Sequence, residues 1–125
     1  MKRIAILLMS LLLMNSCNQP LPEMKGELRH VVTFKFIPEA TKDQVNRLIE
    51  DFAGLQQQID LVKSFEWGLN VSPEGYDKGM THVFLLTFKN EKDRDLYLIH
   101  PAHVAFGRKH GQLIEDSVVV DYKAE

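Results

Sequence analysis

The sequence predicts one α+β domain in which helices pack on an antiparallel sheet. Four segments read as strands, by alternation or as nearly continuous apolar runs, and two others as helices, one by the helical spacing of its apolar residues and one by its cap. The order is strand, helix, strand, strand, helix, strand, with proline, glycine or a capping residue at the breaks. The chain has 125 residues, 45 % of them hydrophobic and 26 % charged, with a net charge of -2. That leaves room for one globular domain and supplies no basic field for nucleic acid. A domain of this size only marginally buries its own apolar surface, so association with a second copy is expected.

The N-terminus reads as an export signal. Lys2 and Arg3 give a short positive start, and Ile4 to Leu13 is apolar apart from Ser10. This run is too short to span a bilayer and has the length of a signal-peptide core. It ends in Met14-Asn15-Ser16-Cys17, which resembles a bacterial lipobox, where the thiol is acylated and the chain is cut just before it. Cys17 is the only cysteine, so it forms no intrachain disulfide. Several acyl chains on Cys17 would anchor the protein stably, whereas one alone binds only marginally. Residues 1–17 are therefore expected to be a lipoprotein signal ending in the lipidated cysteine. Residues 18–26, with two prolines and little periodicity, are expected to be a tether, and residues 27–125 the folded domain. The expected address is the cell envelope. Asn18, in place of the aspartate associated with inner-membrane retention, points to the periplasmic side of the outer membrane in a Gram-negative host.

Leu28 to Ile37 is rich in β-branched and aromatic residues and stops at Pro38, which predicts a strand with His30, Val32, Phe34 and Phe36 on one face. Thr41 with Gln44 three residues on is a capping-box start. Val45, Leu48, Ile49, Phe52 and Leu55 then follow at helical spacing, and the helix ends at Gly54 or runs on through Ile59. Ser64 to Val71 alternates, with Phe65, Trp67, Leu69 and Val71 on one side. Pro73, Gly75 and Gly79 make a loop before the next strand, Thr81 to Phe88. Asn90 caps a helix from Glu91 to Ile99, Pro101 breaks it, and a short helical piece runs through Phe106. Ser117 to Tyr122 is the last strand.

This order is the ferredoxin-like βαββαβ arrangement, with a four-stranded antiparallel sheet. Two helices cover one face only, yet the third and fourth strands are apolar on both faces. A homodimer, sheet against sheet, covers the open face and closes an α/β barrel.

Chemistry concentrates in Leu96 to Phe106. Tyr97 lies on the second helix, and His100, Pro101 and His103 follow at the break. A proline break beside a tyrosine and two histidines can bring phenol and imidazole together over a cavity, a pair suited to proton transfer. His30 and His82 lie on strand faces otherwise lined by apolar side chains. They are either hydrogen-bonded core residues or the polar points of an apolar pocket. Trp67 reads as core or dimer interface, and His110 and the charges of Asn90 to Asp95 as solvated surface. His100-x-x-His103 across a proline break is not a zinc spacing and no carboxylate joins it, so no metal is expected, nor any cofactor. Gly-rich phosphate loops, Ser-His-Asp patterns and clustered basic residues are absent from the sequence, which excludes the corresponding nucleotide, hydrolase and nucleic-acid readings.

With these residues in hand, the domain resembles the stress-responsive A/B barrel (Dabb) family. The resemblance rests on Arg29-His30-Val31-Val32, Phe65-Glu66-Trp67-Gly68, Ser72-Pro73-Glu74-Gly75, Thr81-His82, the run Tyr97 through Phe106 and Asp121-Tyr122. It spans Leu28 to Tyr122 and implies the ferredoxin-like dimer already reached from strand polarity. Some plant relatives are polyketide cyclases in which a tyrosine and a histidine act together, and Tyr97 and His103 match those positions. The resemblance also implies a pocket lined by His30, His82, Ile49, Phe52, Phe84 and His100. Ile49 stands where the cyclase pocket has an aromatic ring, while Phe52 keeps one, so cavity shape and substrate do not transfer. Three functions are compatible with these residues: a tethered domain binding a small, partly apolar molecule; a cyclase or lyase using Tyr97 and His103; or a structural lipoprotein whose histidines serve the core.

Overall fold

The structure, a computed structural model, describes residues 26–125. The expected signal, Cys17 and residues 18–25 of the expected tether lie outside them. The elements are β1 (Leu28–Phe36), α1 (Lys42–Gln58), β2 (Ser64–Leu69), β3 (His82–Phe88), α2 (Glu91–Leu98), α3 (Pro101–His110), a 3-10 turn (Gly111–Leu113) and β4 (Ile114–Lys123). The strands form one antiparallel sheet in the order β2-β3-β1-β4, the ferredoxin-like topology. No helix among the described residues is long and apolar enough to cross a membrane.

Local signals set most boundaries. The Thr41 hydroxyl accepts from the Gln44 amide at 3.2 Å and the Gln44 side chain accepts from the Thr41 amide at 2.9 Å, which closes the capping box of α1. The helix runs past Gly54 to Gln58, because Gly54 has no positive φ and Leu55 is still needed in the core. Asn90 caps α2 by accepting from the Asp93 amide at 2.9 Å. The piece after Pro101 is longer than its sequence suggested. Pro101 sits in the first turn, where its missing N–H costs nothing, and α3 continues through His110. The last strand likewise starts earlier, at Ile114, and bulges opposite Lys35 and Phe36.

One face of the sheet carries the core. Leu28, Val32 and Phe34 from β1 and Phe84, Leu86 and Phe88 from β3 pack against Leu48, Ile49, Phe52 and Leu55 of α1, with Tyr97 and Phe106 from the other helices. The opposite face carries Val31, Val83, Leu85, Val118, Val120 and Tyr122, which alternate with the core residues in the strand register. No helix covers it: Val118, Val120 and Tyr122 remain 43 %, 53 % and 49 % exposed.

Two surface expectations are corrected. His110 is buried rather than solvated, because α3 extends far enough for its Nε2 to reach Asp51 of α1 at 2.7 Å. Among the charges of Asn90 to Asp95, Arg94 is mostly covered and pairs with Asp121 of β4. Trp67 is half-exposed on the β2 edge, outside the core cluster, its ring stacked 6.1 Å from that of His82.

Candidate functional site

The cavity that collects the candidate chemistry lies between the covered face of the sheet and the α2–α3 corner, with Phe52 of α1 at its end. Its volume is about 330 Å³. Val32, Phe34, Phe52, Leu98, Phe106, Ile114 and Val119 give it apolar walls, and His30, Tyr97, His103 and Asp121 place polar groups among them. That size and that ratio of apolar wall to convergent polar groups suit a small organic molecule.

Each polar group is positioned by its element. His30 points to the core side of β1, and the β1–β4 register sets it directly opposite Asp121. Its Nδ1 lies 2.6 Å from Asp121 Oδ1, while the other carboxylate oxygen accepts from the Arg94 guanidinium. The histidine therefore donates from Nδ1. Burial, and secondarily the charge of Arg94, lower its pKa to about 4, so the ring is neutral near pH 7. A carboxylate alone would favour the imidazolium, but Arg94 already neutralises Asp121.

Tyr97 is fully buried on α2, edge-on to His30 with ring centroids 6.1 Å apart and 4.4 Å from His103. Its hydroxyl has no hydrogen-bond partner among the described residues. Burial pushes the phenol pKa upward, so the group stays protonated as a donor. An unpaired buried hydroxyl costs about 1–3 kcal/mol, and the residue that carries it lines the cavity. His103, one turn into α3, donates from Nδ1 to the Leu98 carbonyl at 3.0 Å. Desolvation lowers its pKa against the raising effect of that carbonyl. With Nδ1 occupied, the Nε2 lone pair is the free acceptor on a neutral ring.

The remaining candidates lie elsewhere. Ile49 and Phe84 are buried in the core but do not line this cavity. His100 caps α3, its Nδ1 accepting from the Ala102 amide at 3.1 Å. His82 sits against Trp67 and Phe36, its Nδ1 2.8 Å from the Thr81 hydroxyl. Burial lowers its pKa too. Sequence reasoning missed Asp121 and Arg94 as site residues, as well as the lining residues Val32, Phe34, Leu98, Phe106, Gly107, Ile114 and Val119. A single acid in the apolar run SVVVDY was the available signal for Asp121. Arg94 gave none, because only the fold brings α2 against β4. Among the described residues no group of three or more His, Cys, Asp or Glu side chains is disposed to hold a metal ion.

Comparisons with known proteins agree with this architecture. A family model described as Stress responsive A/B Barrel Domain matches residues 28–124. Olivetolic acid cyclase of Cannabis sativa is 30 % identical over 95 residues, covering 76 % of this chain and 94 % of that protein. A crystal structure of an Arabidopsis thaliana protein superposes with a TM-score of 0.75 at 33 % identity, covering 78 % of this chain and 95 % of that one. A dimeric protein of ferredoxin-like fold from Bacteroides fragilis superposes with a TM-score of 0.64 at 26 % identity, covering 80 % and 98 %.

Proposed function

The chain belongs to the stress responsive A/B barrel domain family, and from that premise we propose that it is a membrane-tethered, dimeric domain that binds a small, partly apolar molecule in a stress response. One observation carries the binding reading. A cavity of about 330 Å³ with apolar walls is lined by Tyr97, whose buried hydroxyl has no partner among the described residues. A ligand oxygen at that point would satisfy the hydroxyl, while Phe52 and Phe106 would cover an apolar body. The half-exposed Val118, Val120 and Tyr122 support the dimer, as does the dimeric Bacteroides fragilis relative. The tether rests on the apolar leader and on Cys17. The family's description supports the stress role.

The test is non-denaturing mass spectrometry of the full-length chain released from membranes. The expected result is a dimer carrying a small adduct that is lost in His103→Ala. A monomer would remove the barrel, and a dimer that binds no small molecule in follow-up titrations would remove the ligand. Failure of Cys17→Ser to leave the membrane fraction would remove the lipid anchor.

The 4.4 Å approach of the Tyr97 and His103 rings favours a second reading, a cyclase-type enzyme, and so does the similarity to olivetolic acid cyclase. His103 Nε2 would take a proton from carbon and the Tyr97 hydroxyl would donate to the oxyanion that develops. Turnover lost in both Tyr97→Phe and His103→Ala, with binding retained, is the result this reading requires.

A further inference from the structure

We infer that Gly107 holds the mouth of the cavity open and thereby sets the size of molecule it admits, an inference that rests on the ligand-binding reading above. Gly107 lies inside α3, one turn beyond His103 and on the same face, and it lines the cavity together with Ile114, Val119 and Asp121 of β4. Glycine is the poorest helix former after proline, so its presence inside a helix calls for a reason. The backbone supplies none. The described glycines with positive φ are Gly26, Gly75 and Gly79, whereas Gly107 has no positive φ. Close packing supplies none either, since a Cβ built at Gly107 meets no atom within 4 Å. What remains is the space itself. A longer side chain there would take up that open space on the cavity lining.

The lining also states which ligand fits. Its one carboxylate, Asp121, is matched by Arg94 and bonded to His30, and no lysine or arginine lines the cavity. The remaining polar points are the Tyr97 hydroxyl and the Nε2 atoms of two neutral imidazoles. A neutral molecule with a ring and a hydroxyl or carbonyl matches that set, and a charged one would stay unpaired.

The experiment is calorimetric titration of the full-length chain with phenol and with 4-phenylphenol, in the wild type, Gly107→Ala and Gly107→Leu. The wild type is expected to bind both. Gly107→Leu should keep phenol but weaken 4-phenylphenol by about tenfold or more. Gly107→Ala should show a smaller loss and a thermal midpoint raised by roughly 4 °C. If Gly107→Leu fails to fold, Gly107→Ala decides by the same difference between the two probes. Equal affinity of wild type and variant for 4-phenylphenol, or equal loss of both probes, would overturn the role of Gly107 while leaving the binding reading intact. A lowered midpoint in Gly107→Ala would overturn it by showing that the backbone needs glycine. A wild type that binds neither probe would overturn the binding reading, and Gly107's role with it.

Discussion

His30 on β1 and Asp121 on β4 stand directly opposite each other in the sheet, and Nδ1 meets Oδ1 at 2.6 Å. The contact fixes which imidazole nitrogen carries the proton, and Arg94 on the second carboxylate oxygen fixes the acid in turn. The result is a neutral histidine on a cavity wall, oriented by a charge pair that comes from two other elements. Residues that lie far apart in sequence become one unit of the site.

Asp121→Ala should release that unit. His30 would lose its fixed tautomer and Arg94 would keep only its exposed partner Asp95, at a cost of about 1–3 kcal/mol. Nitrogen-15 NMR of the imidazole together with denaturant unfolding reads both effects. An unchanged tautomer would show that Asp121 does not hold the ring.

Stability should fall on acidification. The folded-state pKa of His30 is lowered to about 4 from an ordinary 6.5, so within that window the unfolded chain takes up the proton and the folded one does not. The stabilisation is present above pH 6.5, declines as the pH falls and is gone below about 4. His82 and His103 shift in the same direction. Unfolding free energies measured between pH 4 and 7 should fall by roughly 2 kcal/mol across this range, less than the full shift would give because water reaches the cavity. His30→Phe should flatten the curve.

Tyr97→Phe should leave the ligand-free protein equally stable or about 1 kcal/mol more stable, because it removes a buried hydroxyl without a partner and keeps the ring among Phe88, His30 and His103. The same change should weaken ligand binding by about tenfold. A large loss of stability would mean that the hydroxyl is satisfied within the fold.

His110→Ala should destabilise the domain by about 1–3 kcal/mol, because a buried ring tilted against Phe106 and bonded to Asp51 is lost from the α1–α3 contact. Thermal unfolding checks this. A cost near zero would return His110 to the solvated role its sequence neighbours suggested.

Val120→Asp, on the open sheet face, should convert the dimer to a monomer without changing the fold of the protomer. Light scattering with circular dichroism separates the two effects. A variant that remains dimeric would place the interface elsewhere.

Period-two and helical patterns are local, and so the elements were legible in the sequence. The capping residues Thr41 and Asn90 start helices where their side chains can accept from the backbone two or three positions on, which is a property of a few neighbouring residues. The ends were less legible. α3 overran its expected end because contacts with α1 through Phe106 and His110 continue it, and those contacts come from another part of the chain. In the site, Tyr97 and His103 could be paired from the sequence because only five residues, Pro101 among them, separate them. The roles of His100 and His110 could not be, since a helix cap decides one and a half-exposed acid on α1, Asp51, the other.

By itself, the sequence determined the class of fold, the order of its elements, the unsatisfied open face of the sheet and the neighbourhood of a tyrosine and two histidines. Each of these follows from residue type and short-range spacing. Only the tertiary structure decided which polar groups share a cavity. It joined His30, Asp121 and Arg94 through the β1–β4 register, left the Tyr97 hydroxyl without a partner among the described residues and put Gly107 on the cavity lining. Register and helix placement depend on how distant apolar faces pack together, and a one-residue slip would turn His30 to the opposite face.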